Sequence, residues 1–307
     1  MRLLILLLLP CLLHAQEKTD KKLQRSIESL VQGFKGDVGI YVKNLRTNKV
    51  AMYHADSIFP TASMIKIPIL IGVMDKIYKG ELGYHQELIY TDSLLYAGID
   101  ILGSYKNGEK TTVSRIMMLM LTMSDNTASL WLQSLAGTGT RINAILDSIG
   151  FKDTRVNSRT PGRENNRTQY GWGQTTPREM ATLMEKIYKR EIINAEASER
   201  MLRLLGRNFF DEVAISQIPS YVFVASKNGA VNPSRSETLF VNAPHGPYVF
   251  SITTNNIQDQ SWKSGNEAWV LIRKLSRLLW NHYEPYSSWT SSMPVEGRPD
   301  ANNDDKE

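Results

Sequence analysis

PTASMIKIPIL, Pro60 to Leu70, sets a lysine, Lys66, inside an otherwise apolar run three residues after a serine, Ser63. If a helix starts near Thr61, residues three apart lie on one face a turn apart, so the hydroxyl and the amine can meet. One reading is structural: Thr61 or Ser63 caps the helix and Lys66 carries its charge to water along its apolar stem. The other is chemical, with the amine taking the proton of a serine nucleophile. S-x-x-K is too short a pattern to decide between them alone.

Working outward, KKLQRSIESLVQGF (21–34) puts Leu23, Ile27, Leu30, Val31 and Phe34 on one stripe, which predicts an amphipathic helix. VGIYVKNL (38–45) and VAMYH (50–54) are short β-rich runs separated by RTNK, a predicted hairpin. From Thr61 to about Gly206 the periodicity is mostly helical, and Thr176, Pro177 and Glu179 supply an N-cap, a first-turn proline and a capping-box acid. Strand patterns return in YVFVAS, ETLFVNA and PYVFSITTN, and GNEAWVLIRKLSRLLW predicts a last helix. The expectation is an α/β fold of two subdomains. An antiparallel sheet drawn from both termini, with flanking helices, carries an all-helical insert over 61–206, and the site lies in the cleft between them.

Composition narrows the function. The 307 residues are 42% hydrophobic and 22% charged, ordinary for a globular chain with a sizeable core. MRLLILLLLPCLLHA (1–15) reads as a signal peptide cut before Gln16, too short for a comfortable membrane span. A secreted or periplasmic protein follows, with a catalytic domain over 16–287 and a disordered polar tail over 288–307. The single cysteine, Cys11, lies in the leader with a proline before it where a lipoprotein signal would want a small residue, so a lipid anchor is disfavoured and thiol chemistry is excluded. A net charge of +5 without a dense Lys/Arg cluster gives no case for nucleic acid. His54, His85, His245 and His282 form no ligand cluster, so no metal or other cofactor is expected. No G-x-S-x-G elbow is present either.

Two further stretches bear on Ser63. TMSDNTA contains Ser124, Asp125 and Asn126, alone an ordinary helix cap. VASKNGAV contains Lys227, Asn228 and Gly229, alone an edge lysine with a glycine turn. Taken in order, S-x-x-K, S-D-N and K-T/S-G form the signature set of class A β-lactamases and penicillin-binding proteins, and with Lys227-Asn228-Gly229 at the third motif the chain resembles that superfamily. FPTASMIKIPIL, LTMSDNTASLWL, TTPREMATLM and the closing helix fall where the family has matching elements, so the resemblance runs from about Leu23 to Tyr286. It implies Ser63 as nucleophile, Lys66 as base and Ser124 as proton relay. Asn126 and Lys227 would hold the substrate amide and carboxylate, and the backbone amides of Ser63 and Ala230 would form the oxyanion hole. Arg235 falls near a supporting arginine of many relatives, or is a solvated turn charge. The implied substrates are β-lactams or D-alanyl peptides, acted on by a monomer.

The chain departs from the family in two places. Class A enzymes carry E-x-x-L-N before the TTP helix, whereas SRTPGRENNRTQYGWGQTTP offers only Glu164. Either Glu164 serves as deacylation base, with Asn165 or Asn166 as partner, or the role is lost. Asn228 also replaces the usual threonine or serine of K-T-G. The leading expectation is therefore a β-lactam hydrolase. A penicillin-binding, peptidase-like enzyme, or a binder that releases β-lactams or muropeptides slowly, is the alternative.

Overall fold

The computed structural model describes residues 17–98 and 100–298. The expected leader, 1–15, lies outside them. Lys18–Thr19 (β1) and Lys21–Leu30 (α1) precede the hairpin Asp37–Asn44 (β2) and Lys49–Tyr53 (β3). Phe59–Pro60 (β4) then leads into Lys66–Tyr78 (α2), Glu87–Ile89 (β5), Lys110–Thr112 (β6), Val113–Thr122 (α3), Asn126–Leu135 (α4) and Thr138–Ser148 (α5). Arg155–Val156 (β7), Glu164–Tyr170 (α6), Gly173–Thr175 (β8), Pro177–Tyr188 (α7) and Ala195–Leu205 (α8) complete this half. Val224–Val231 (β9), Ser234–Val241 (β10), Tyr248–Asn255 (β11) and Glu267–Tyr283 (α9) return to the sheet.

The main sheet has the order β1-β3-β2-β11-β10-β9 and is antiparallel except for the short β1–β3 pairing, so strands from both ends of the chain lie side by side. On one face α1 and α9 bury Leu23, Ile27, Leu275 and Leu279 against Ile40, Val42, Leu239 and Phe250. On the other, α7 lies across β2, β10 and β11 and joins the helical half to the sheet. Full burial of each such side chain is worth about 1.5–3 kcal/mol. The insert is not wholly helical: it contains the β5–β6 pair and the β7–β8 pair, the latter joined by β4 just before the insert.

At the centre of the helical half, α2 is buried continuously from Lys66 to Asp75, a helix apolar nearly all round. Thr176 caps α7 by accepting from the Glu179 backbone N–H at 3.2 Å. The Glu179 carboxylate turns elsewhere, to the N–H groups of Lys152, Asp153 and Thr154. The expected disorder from residue 288 gives way to a packed segment. Met293 is buried, its carbonyl accepts from Gln217 Nε2 at 2.9 Å, and Val295 O accepts from Arg273 Nε at 2.8 Å. Residues 299–307 lie outside the described part.

Candidate active site

Ser63 sits in a 3-10 turn, Ala62–Ile65, and the α-helix begins only at Lys66. Neither end of this junction is capped by a side chain, so the capping reading of Thr61 and Ser63 is not realised. Ala62 holds φ at +43°, a left-handed conformation that costs an alanine on the order of 1–3 kcal/mol. Strain just before the serine is maintained by its surroundings: Met64 and Ile65 are buried, and the Thr61 N–H donates to Gly173 O at 2.9 Å.

Lys66 is fully buried, so its ammonium has no route to water. Its Nζ lies 3.0 Å from Ser63 Oγ, 3.0 Å from Ser124 Oγ, 2.9 Å from Asn126 Oδ1 and 2.5 Å from Ser124 O. Four oxygens surround a group with at most three hydrogens, so either one contact is shared or a serine hydroxyl donates to the neutral amine. Burial lowers the Lys66 pKa from 10.5 to about 7 against the opposing pull of Asp100 and Asp125. Both charge states are then populated near neutrality.

Ser124, Asp125 and Asn126 divide two tasks within one turn. Asp125 caps α4 through Ala128 N at 2.7 Å and accepts from Leu102 N at 2.8 Å. Ser124, at φ +57°, and Asn126 are thereby turned onto Lys66. The capping reading holds on Asp125 alone, while Ser124 and Asn126 are placed against Lys66.

Lys227 is also fully buried, and its Nζ donates to Asn228 O at 2.9 Å and Asn228 Oδ1 at 3.0 Å. Burial, then the charge of Lys66, holds its pKa well below the usual lysine value, while Glu237 opposes them. Asn228 thus engages the Lys227 amine with both its backbone carbonyl and its side-chain oxygen. Gly229 is required by close approach: a Cβ there would stand 2.6 Å from Thr61 O and 2.7 Å from Ser236 Oγ. Its absence lets β9 press against the serine turn, and Ala230 then lines with Ser63 and Asn126 one cavity of about 410 Å³.

Of the expected residues only Ser63, Asn126 and Ala230 line this cavity. Lys66 and Ser124 join them through hydrogen bonds, Asn228 lines a different cavity with Asn208 and Trp262, and Arg235 and Glu164 are directed elsewhere. Arg235 faces away from the Ser63 cavity: its guanidinium donates to the carbonyls of Val231, Ser234 (3.0 Å) and Ser261 (2.9 Å) and stacks on Trp262 and Trp269. It is neither a substrate anchor nor a solvated charge. Glu164 is exposed at the first residue of α6, accepting from Gly162 N at 3.1 Å, while the opposite end, Thr168 to Tyr170, lines the cavity. Its expected partner Asn166 donates instead to Gln174 Oε1 at 2.9 Å, which Arg163 also engages at 2.7 Å, and Asn165 is exposed.

The structure adds residues that the sequence did not mark. Tyr96 and Trp172 face each other edge-on at 5.1 Å between ring centroids and form a wall of the cavity. Asp100 reaches the first turn of α4. No local pattern signals any of the three, because each acts from a loop on a partner distant in sequence.

Known proteins resemble this chain in sequence and in fold. A family model described as the β-lactamase enzyme family matches residues 22–283. The chain is similar to the β-lactamase VEB-1 of Pseudomonas aeruginosa, 22% identical over 92% of this chain and 96% of that one. The structure of PBP-A superposes with a TM-score of 0.77 at 26% identity, covering 88% of this chain and 98% of that one. A mutant of PBP-A solved as an acyl-enzyme complex with penicillin G superposes equally well, with the same coverage. A class A β-lactamase of Bacteroides cellulosilyticus shares the fold at TM-score 0.75 and 19% identity over 88% of this chain and 98% of that one.

Proposed function

The chain belongs to the β-lactamase enzyme family as a class A β-lactamase-like serine hydrolase, and we propose that it works through an acyl-enzyme on Ser63. The observation that carries this reading is the Lys66 amine within 3.0 Å of two serine hydroxyls in a fully buried setting. Neutral Lys66 takes the Ser63 proton as Oγ attacks the carbonyl carbon. The oxyanion is met by the backbone N–H groups of Ser63 and Ala230. As the C–N bond breaks, Ser124 gives its proton to the leaving nitrogen and is reprotonated from Lys66, leaving an ester on Ser63. Asn126 orients the substrate amide, and Lys227 holds the carboxylate borne by β-lactams and D-alanyl termini.

Acylation is expected to rise with pH along a limb centred near 7, since the reactive form is the deprotonated amine. Stopped-flow acylation by a chromogenic cephalosporin between pH 5 and 9 checks this. A flat profile would remove Lys66 from the base role.

Lys227→Met, which keeps the buried volume, should weaken carboxylate-bearing substrates by about 2 kcal/mol, or ~30-fold in kcat/KM. An ester lacking the carboxylate should be little affected. Equal losses on both substrates would argue against the anchor.

A second reading concerns the fate of the ester and is favoured by the exposed position of Glu164. With no carboxylate from α6 beside Ser63, deacylation is slow and the chain behaves as a penicillin-binding enzyme. We further propose export, with cleavage before Gln16. N-terminal sequencing of the mature protein tests this, and an intact Met1 would refute it. No helix among the described residues is long and apolar enough to cross a membrane.

A further inference from the structure

Tyr96, Asp100 and Leu102 are joined to the Asp125–Thr127 turn by a set of hydrogen bonds that the catalytic scheme does not use. Tyr96 N donates to Thr127 Oγ1 at 3.0 Å, and Leu102 N donates to Asp125 Oδ2 at 2.8 Å. Between them, Asp100 accepts from Asn126 N at 3.1 Å through Oδ1, and from Thr127 N (2.9 Å) and Thr127 Oγ1 (2.8 Å) through Oδ2. Thr127 is fully buried, so its hydroxyl depends on these partners. The residue whose backbone Asp100 grips, Asn126, is the one whose side chain receives Lys66.

We propose that Asp100 is a positioning residue of the active site: it clamps the Ser124–Asn126 turn onto Lys66 and supplies that lysine with an anionic counter-charge. Two acids and one base form the local charge set. Asp100 comes from the loop, Asp125 from the turn, and Lys227 from β9, itself backed by Glu237 on β10. Asp125 is committed to the α4 cap and Leu102 N, and burial raises its pKa, which reduces its share of negative charge at low pH. Of the two acids acting on Lys66, Asp100 has the larger pull. The clamp also sets the wall of the cavity, because the loop that carries Asp100 carries Tyr96.

This rests on Lys66 acting as base, and the test separates the two claims. Acylation is measured against pH for wild type, Asp100→Asn and Asp100→Glu. Removing a negative charge near an amine favours its neutral form, so the Asp100→Asn limb should move to lower pH by ~1 unit while Asp100→Glu restores it toward wild type. A sloping wild-type profile with an unmoved Asp100→Asn limb overturns the proposal, even if all rates fall together. A wild-type profile without a limb overturns the base assignment itself. Should Asp100→Asn fold poorly, Asp100→Ser supplies a hydroxyl suited to capping without charge and must give the same downward shift.

Discussion

Lys66→Met should slow acylation of Ser63 by about 10²- to 10⁴-fold, the usual worth of a positioned general base, while Ser63→Ala should leave no covalent adduct with penicillin at all. Methionine is the informative replacement at 66 because the site is fully buried and an unbranched apolar chain fills it without leaving a charge or a cavity. It also frees Ser124 and Asn126 from their shared partner, so the relay should fail with the base. Intact-mass measurement reads both variants directly. An adduct of undiminished yield on Ser63→Ala, mapped to another residue, would remove the nucleophile. Acylation by Lys66→Met within threefold of wild type would mean that proton transfer runs by another route.

The parts of the site legible in the sequence are those set by local geometry. Ser63 and Lys66 lie three residues apart, and the turn of chain between them brings their side chains together whether it is α or 3-10. Ser124 and Asn126 flank a capping aspartate, and caps are short-range signals. Lys227 and Gly229 are marked in the sequence only by order and resemblance, and the close approach at Gly229 gives the physical reason for the glycine.

What could not be read depends on register and on loops. Ser236 places its hydroxyl on Thr61 O and so faces the site, whereas Arg235 beside it faces the opposite side of β10. A one-residue change in the length of the β9–β10 hairpin exchanges those faces, and composition does not fix that length. The clamp of Asp100 on α4 spans a loop without periodic pattern. The segment from 288 to 298 looked disordered because it is polar, yet its backbone carbonyls are held by Gln217 and Arg273, which sequence proximity could not suggest.

Glu164 shows how a helix can carry a residue away from a site that its neighbours enter. It is the first residue of α6, and Gln169, which lines the cavity, lies roughly 7.5 Å further along at 1.5 Å per residue. Its carboxylate closes on the Gly162 N–H, and Asn166 and Arg163 are tied to Gln174, so the whole segment is fixed with Glu164 outward. Without the Glu164 carboxylate beside the ester to activate water, deacylation should run about 10²- to 10⁴-fold slower than in an enzyme that has such a base. The wild-type protein is therefore expected to accumulate as the penicillin adduct and hold it for minutes, and Glu164→Gln should lose the adduct at the wild-type rate within twofold. An intact-mass time course after removal of free penicillin measures both. Release from wild type within seconds, slowed tenfold or more by Glu164→Gln, would return the carboxylate to the site and make this an efficient β-lactam hydrolase. Fast release unaffected by Glu164→Gln would instead place the water-activating group elsewhere, with Lys66, neutral in part near pH 7, as the group in contact with the acylated oxygen.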